Sequence, residues 1–258
     1  MNLENTKPFS RRRGIYLLPN AFTTLGLFAG FYAIVAAMEG FFDMAAIAIF
    51  VAMVADALDG RVARLTNTQT AFGAEYDSLS DMVSFGVAPA LVLYSWSLHS
   101  LGKLGWLAAF VYTAAGALRL ARFNTQISTA DKRYFQGLAI PAAAGLIASI
   151  IWVGKEYGIN GVSVSWLVAL LTILVAVLMI SNIRYHSFKQ LDLKGKVPFI
   201  SIVVLVLIFV GISLDPPQVL FLIFFLYAIS GPVLTLHNLR KTRKKRKHIT
   251  IVQSDKKE

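Results

Sequence analysis

The sequence predicts an all-α fold, a polytopic transmembrane bundle of about eight helices. Hydrophobic residues make up 56% of the 258 residues and charged residues only 15%, and the mean hydropathy is +0.62. Soluble domains carry about a quarter charged residues, so this chain is too apolar to be one of them. Its apolar residues also gather in runs of about 20, the length at which an α-helix crosses a bilayer.

Eight apolar runs are candidates for these helices. The first is too long for the apolar part of a signal peptide and no small-residue cleavage pattern follows it, so we expect it to remain as the first span. The fifth run is short and contains a proline, and the seventh is shorter than most of the others. The runs cover residues 17–38, 43–65, 73–98, 104–123, 138–154, 162–183, 197–213 and 216–236.

The basic residues predict how the bundle is oriented. With eight spans, all 25 Lys and Arg residues except Lys103 and Lys155 fall on the side that holds both termini. In membrane proteins, the loops that are rich in Lys and Arg lie on the cytoplasmic side of the membrane. We therefore expect both termini, and the loop between the second and third spans, on the cytoplasmic side of the inner (plasma) membrane.

The chain divides into a membrane domain and a basic tail. We find no repeat or linker in residues 1–238, so we expect one transmembrane domain there. Residues 239–258 are polybasic, and we expect a disordered cytoplasmic tail. Anionic lipid headgroups attract such segments by about 1 kcal/mol per basic residue, but a topology anchor explains the charge equally well. Nucleic-acid binding is not indicated, because no base-reading element accompanies the charge.

Four aspartates interrupt the second and third apolar runs. Asp56 and Asp59 are three residues apart, and Asp77 and Asp81 are four apart, so each pair shares one face of its helix. The short loop at 65–72 makes the two helices antiparallel neighbours, whose acidic faces can meet at the cytoplasmic end. An ionised carboxylate in a low-dielectric environment is costly unless a cation lies beside it. The spacing therefore indicates a site for cations.

The chemistry of the ligands narrows the choice of cation. Oxygen-only coordination favours Mg²⁺, Mn²⁺ or Ca²⁺, and the absence of cysteine excludes thiolate sites. Four carboxylates can hold two ions with shared ligands, an arrangement that assists phosphoryl transfer. Arg64 lies one turn further on, where its guanidinium could bind a phosphate. Helix-end caps or ion pairs with Arg61 and Arg64 are the structural alternative, but two arginines cannot balance four carboxylates, and these roles leave the shared helix faces unexplained.

The complete motif resembles the signature of the CDP-alcohol phosphotransferases. Its pattern is Asp-x2-Asp-Gly-x2-Ala-Arg-x8-Gly-x3-Asp-x3-Asp. The resemblance implies a transmembrane bundle, usually a homodimer, that binds the CDP group of a substrate over two divalent ions, Mg²⁺ or Mn²⁺. It implies that the four aspartates ligate metal and that Asp81 also deprotonates the acceptor alcohol. It further implies that the small residues and the arginine of the motif line the nucleotide and pyrophosphate pocket; these are Gly60, Ala63, Arg64 and Gly73. The fixed positions are Asp56, Asp59, Gly60, Ala63, Arg64, Gly73, Asp77 and Asp81.

A second set of residues bears on the acceptor alcohol. The fourth span ends in Leu-Arg119-Leu-Ala-Arg122-Phe-Asn124, where both arginines can face the same way. This ending and the segment 135–144 resemble the phosphatidylserine synthase branch of the family. The resemblance implies CDP-diacylglycerol and L-serine as substrates, with the carboxylate of serine held by Arg119, Arg122 and Asn124. Anchoring of the helix at the interface is the alternative role for the arginines.

Asn20 and Arg133 are further candidates for the site. Asn20 stands in a Leu-Pro-Asn opening that also fits the serine branch, although an asparagine at the start of a span is more often a helix cap. Arg133 lies in the cytoplasmic loop that follows the arginine pair.

Other functions remain open at this point. Glycerol 3-phosphate is the rival acceptor, and Arg119, Arg122, Lys132 and Arg133 could bind its dianionic phosphate to give phosphatidylglycerophosphate. A divalent-cation transporter is the rival from another class, because intramembrane carboxylates also mark ion pathways. Transporters place such groups near the midplane of repeated halves, whereas these aspartates cluster at one end and no repeat is visible. An inactive scaffold of the same fold is a third possibility, but it would have no reason to keep four aspartates whose mutual repulsion is unfavourable.

Overall fold

The computed structural model describes residues 17–126, 134–186 and 199–254, and most of them are helical. The all-α prediction is confirmed, apart from one short ribbon of two strands within these ranges. The helices are α1 (Leu17–Met38), α2 (Phe42–Leu65), α3 (Ala71–Asp81), α4 (Ala88–Trp96), α5 (Lys103–Gln126), α6 (Ile140–Glu156), α7 (Ser165–Ile180), α8 (Phe199–Leu214) and α9 (Pro216–Ser254).

A helix occupies each of the eight apolar runs. The third run holds α3 and α4, which a π-helical turn at Met82–Val87 joins without a break. Three of the helices are less suited to cross a membrane by length and composition alone. α6 and α8 have only 17 and 16 residues, and α2 carries the charged residues of the motif. α7 is lengthened by the 3-10 turn that precedes it, from Gly161. Five helical segments are long and apolar enough to cross a membrane, so the chain is an integral membrane protein. They are Leu18–Met38, Ala71–Trp96, Lys103–Thr125, Gly161–Ile180 and Pro216–Leu236.

The first two helices pack closely because small side chains line their contact. A sharp turn at Gly40, which has a positive φ of 82°, reverses the chain between α1 and α2. Small residues let helix backbones approach each other in a membrane, where water does not drive helices together. The buried alanines of the pair are Ala29, Ala33, Ala36, Ala37, Ala45, Ala46, Ala48, Ala52 and Ala55.

The π-helical turn also lies directly against α1. The Ser84 hydroxyl donates a hydrogen bond of 3.0 Å to the carbonyl of Gly26. A Cβ atom on Gly30 would lie 2.7 Å from the Cα of Ser84, so only glycine fits at that crossing. α1 therefore touches both helices that carry the aspartates, α2 on one side and α3 with its π-helical turn on the other.

A two-stranded antiparallel ribbon joins two connections between helices. Strands β1 (Tyr134–Gln136) and β2 (Arg184–His186) pair with Phe135 opposite Tyr185. The buried Tyr185 hydroxyl donates to the carbonyl of Ala228 on α9, at 2.9 Å. This ribbon was not predicted, because strands of three residues show no recognisable periodicity. It ties the start of α6 and the end of α7 to α9.

The last helix extends beyond the membrane segment. α9 runs to Ser254, past residue 238, where we expected the basic tail to begin. The physical reason lies in the composition of the segment: no Gly or Pro follows Pro232, and Lys and Arg are good helix formers.

The Gly30 crossing gives a test of this packing. Gly30→Ala should destabilise the protein by about 1–3 kcal/mol, because the added methyl group forces the backbones of α1 and the π-helical turn apart. Gly211→Ala on α8 is the matched control, since a Cβ atom there would lie at an ordinary 3.6 Å from Val219. Thermal unfolding in detergent should show a lower midpoint for Gly30→Ala only; equal midpoints would contradict the close crossing.

Candidate functional site

Three predicted metal ligands converge between α2 and α3. One carboxylate oxygen each from Asp56, Asp59 and Asp77 lies within 4.8 Å of the other two. The connection between the helices is short and capped: Asn67 adopts a positive φ of 52°, and the Thr70 hydroxyl accepts a hydrogen bond of 2.9 Å from the Gly73 amide. This turn sets α3 antiparallel to α2, so the two acidic faces meet as the sequence predicted.

Asp81 lies in the same place as the other three aspartates. It is the last residue of α3, and it lines a narrow, partly open pocket together with them. The structure thus brings all four aspartates of the motif to the wall of one pocket. The pocket is lined by Thr23, Gly26, Ala52, Asp56, Asp59, Asp77, Ser80, Asp81, Ser84 and Phe85.

The electrostatics of this pocket require positive charge. Two carboxylates about 5 Å apart repel each other by about 3 kcal/mol at an effective dielectric constant of about 20. Asp59 is only 5% exposed, and the other three carboxylates are half-buried, so water screens them incompletely. Oxygen ligands at this spacing fit Mg²⁺ or Mn²⁺, and shared ligands would allow two ions. The donor set therefore fits the predicted ions.

The small residues of the motif leave room beside the aspartates. A Cβ atom on Gly60 would meet only the Arg64 Nη2 atom, at 4.0 Å, so the protein itself does not fill this position. A Cβ atom on Gly73 would lie 3.1 Å from the Thr70 hydroxyl and 3.5 Å from the Asn20 Oδ1. Asn20 is thus brought beside the start of α3, next to a residue of the motif. Arg133 lies outside the described residues.

Asn124 also reaches the aspartate helices, but the arginine pair makes other contacts. Asn124 donates through Nδ2 to the hydroxyl of Ser78 on α3, at 3.0 Å. Arg122 donates through Nη1 to the Ser181 carbonyl, at 3.5 Å, and to the Asn182 Oδ1, at 3.3 Å. These are the residues between α7 and β2.

Arg119 is buried in an unusual way for an arginine. It is 6% exposed, and its buried Nε has no hydrogen-bond partner within the described structure. The guanidinium lies over the Phe123 ring, 5.6 Å from its centre. A buried cation is unfavourable unless an anion compensates its charge. The environment of Arg119 is thus suited to an anionic group from a ligand.

The π-helical turn begins immediately after Asp81. π-Helical turns leave backbone carbonyls without helical partners and often occur at functional sites. Here two hydroxyl groups of α5 supply donors: Tyr112 donates to the carbonyl of Phe85, at 3.1 Å, and Thr113 to that of Gly86, at 3.2 Å. α5 therefore supports the turn that fixes where α3 ends, and sequence analysis did not identify either residue.

Thr23 is another residue that sequence analysis missed. Its hydroxyl donates to the Asp59 Oδ2, at 2.8 Å, from the neighbouring helix α1. The signal was present, since Asn20, Thr23 and Thr24 are polar residues at the start of an otherwise apolar run.

Comparisons with known proteins agree with the motif. The family model of the CDP-alcohol phosphatidyltransferases matches residues 16–180, which include all four aspartates and the arginine pair. A CDP-diacylglycerol–serine O-phosphatidyltransferase of Helicobacter pylori is 38% identical over 217 residues, covering 84% of this chain and 90% of the relative. One of Mycobacterium tuberculosis is 33% identical over 229 residues, covering 86% and 79%.

An archaeal relative carries a different name. The archaetidylserine synthase of Methanothermobacter thermautotrophicus is 36% identical over 170 residues, covering 65% of this chain and 69% of the relative.

The repulsion among the aspartates gives a test of the site without any substrate. Asp77→Asn should raise the midpoint of thermal unfolding in EDTA by several degrees, because one of the mutually repelling charges is removed. The same variant should lose most of the stabilisation that Mn²⁺ gives to the wild-type protein. Asp43→Asn at the other end of α2 is the control and should keep it. An unchanged response to Mn²⁺ in Asp77→Asn would argue against ligation by Asp77.

Proposed function

The chain belongs to the CDP-alcohol phosphatidyltransferase family, and we propose that it transfers the phosphatidyl group of CDP-diacylglycerol to L-serine. The products are phosphatidylserine and CMP. The observation that carries this proposal is the complete aspartate motif gathered in one pocket, in a chain whose relatives over most of its length bear the serine transferase name. These names favour serine over glycerol 3-phosphate, and membership of an enzyme family argues against a transporter.

The CDP group would lie over the aspartate cluster. Asp56, Asp59, Asp77 and Asp81 would hold two divalent ions, Mg²⁺ or Mn²⁺. When bound, such ions neutralise charge on the diphosphate and on the attacking and departing oxygens. The open space at Gly60 supports a role for this position in admitting the nucleotide close to the helix backbone.

The remaining motif residues have roles around the diphosphate and the nucleotide. The exposed Arg64 is free to turn its guanidinium toward a phosphate, where planar fork geometry gives two parallel hydrogen bonds. Ala63 and Gly73 are small, and we infer that they complete the wall of the nucleotide pocket. Asn20 lies next to Gly73 and can reach the same region.

The reaction is a substitution at the phosphorus that carries diacylglycerol. The serine hydroxyl oxygen forms a bond to this phosphorus, and the bond between the phosphorus and the bridging oxygen of CMP breaks. Asp81 accepts the proton of the serine hydroxyl. Its place at the end of α3, in the same pocket as the other three carboxylates, supports this role.

The acceptor would be held by groups from α5. Arg119 and Arg122 supply positive charge for the carboxylate of serine, and Asn124 links the acceptor side to α3 through Ser78. The burial of Arg119 without a hydrogen-bond partner for Nε supports an anionic ligand there.

We also infer the arrangement of the chain in the membrane. All eight helical segments would cross the bilayer, since helices of 16 and 17 residues need little more than their flanking residues to span it. The basic residues then favour cytoplasmic termini and a cytoplasmic active site. Residues 1–238 would form the catalytic domain, and 239–258 a basic tail at the membrane surface. A homodimer stays a prediction from the family resemblance.

The most direct test is the release of CMP by the purified protein in detergent. With CDP-diacylglycerol and Mn²⁺, L-serine should give CMP and phosphatidylserine, and EDTA should abolish both products. Glycerol 3-phosphate in place of serine should give none. Release with glycerol 3-phosphate alone would keep the family chemistry but overturn serine as the acceptor. Release that EDTA leaves unchanged would contradict a metal-dependent reaction.

The arginine pair gives a separate test of acceptor binding. Arg119→Gln should raise the KM for L-serine at least about tenfold, because it removes a charge-assisted contact worth about 1.5–3 kcal/mol. The KM for CDP-diacylglycerol should change by less than about threefold. Lys155→Gln, at the other end of the bundle, is the control for loss of a basic residue. An increase confined to the KM for CDP-diacylglycerol would move Arg119 to the nucleotide side of the site.

A further inference from the structure

We propose that Thr23 on α1 is a positioning residue whose hydroxyl holds the metal-binding carboxylate of Asp59 in place. The inference rests on the proposed function, because it assigns a role toward the ions of that reaction. Thr23 stands outside the aspartate motif, 36 residues before Asp59 in the chain. It is 4% exposed, and it lines the aspartate pocket.

The first contact of Thr23 fixes Asp59. Its hydroxyl proton has two acceptors in reach, the Asp59 Oδ2 at 2.8 Å and the Pro19 carbonyl at 3.1 Å. A threonine in a helix commonly donates to the carbonyl four residues earlier, which is the ordinary role of such a hydroxyl. The carboxylate is the nearer acceptor, and hydrogen bonds to charged acceptors are the stronger ones. The hydroxyl therefore donates its hydrogen bond to Asp59 rather than to the Pro19 carbonyl when the carboxylate is ionised.

The second contact of Thr23 reaches the other acidic helix. Its carbonyl accepts a hydrogen bond of 3.1 Å from the hydroxyl of Ser80, the residue directly before Asp81. One turn further along, the Ser84 hydroxyl donates to the Gly26 carbonyl, at 3.0 Å. These two serines attach α3 and the π-helical turn to the backbone of α1. Thr23 thus forms hydrogen bonds with Asp59 on α2 and with Ser80, the residue next to Asp81, on α3.

The consequence is that α1 sets the separation of the carboxylates. Groups that hydrogen-bond to metal ligands hold them in the orientation that the ion needs, and their loss typically lowers metal affinity 10- to 100-fold. The aspartates repel each other, so without such a restraint Asp59 would turn away from the cluster when no ion is bound. The Thr23 hydroxyl keeps Asp59 in place before the ion arrives.

The test compares Thr23→Val, which removes the hydroxyl and keeps the size, with Thr23→Ser, which keeps the hydroxyl. Mn²⁺ binding to the purified protein without substrate is measured from the free-ion signal in electron paramagnetic resonance. Thr23→Val should weaken Mn²⁺ binding at least about tenfold, whereas Thr23→Ser should stay within about threefold of wild type. Thr23→Ala, which also lacks the hydroxyl, must give the same loss as Thr23→Val.

Thr172→Val is the matched control. Thr172 is a fully buried threonine of α7, and its hydroxyl donates to the Val168 carbonyl of the same helix, at 2.7 Å. This variant removes a buried helical hydroxyl away from the pocket and should bind Mn²⁺ like wild type. Unfolding midpoints in EDTA identify any variant that fails to fold.

The outcomes separate this inference from the proposed function. Wild-type Mn²⁺ affinity in both Thr23→Val and Thr23→Ala, in protein that releases CMP with serine, would overturn the positioning role alone. Equal losses in Thr23→Ser and Thr23→Val would also overturn it, because they would point to packing rather than to the hydroxyl. Wild-type protein that binds no Mn²⁺ and releases no CMP would overturn both.

Discussion

The repulsion among partly buried carboxylates is the constraint on which the rest of this structure depends. Asp56, Asp59 and Asp77 place oxygens within 4.8 Å of one another in a setting that water reaches poorly. Such a cluster is unfavourable by itself and becomes favourable when divalent ions bind. The protein must therefore hold two acidic helices together against their own charge, and the surrounding helices supply the means.

The first helix supplies most of that restraint. α1 packs on α2 through alanines, which let the backbones approach closely, and Gly30 lets the π-helical turn approach equally closely. Hydrogen bonds fix the relative positions of these packed helices. The hydroxyl groups of Thr23, Ser80 and Ser84 form them between α1 and its neighbours, at the same contacts. α5 supports the π-helical turn from its other side with Tyr112 and Thr113. Close packing and polar contacts thus act on the same few residues.

The sequence predicted the features that follow from local spacing. The intervals between the aspartates defined their helix faces, and the short loop predicted that the faces would meet. The helical fold, the presence of membrane-spanning helices and the family were predicted correctly. The π-helical turn escaped prediction because residues 82–87 continue the apolar run and fit an α-helix equally well. Thr23 escaped it because its partner Asp59 lies on another helix. The β1–β2 ribbon depends on contacts between residues about 50 apart, which periodicity cannot reveal.

The central claim is that the four aspartates together hold two divalent ions between α2 and α3. Anomalous scattering from crystals of the protein grown with Mn²⁺ and CDP-diacylglycerol tests it most directly. Two peaks should appear inside the pocket, with Asp56, Asp59, Asp77 and Asp81 all supplying oxygens to them. A single peak, or peaks bound away from these carboxylates, would contradict it.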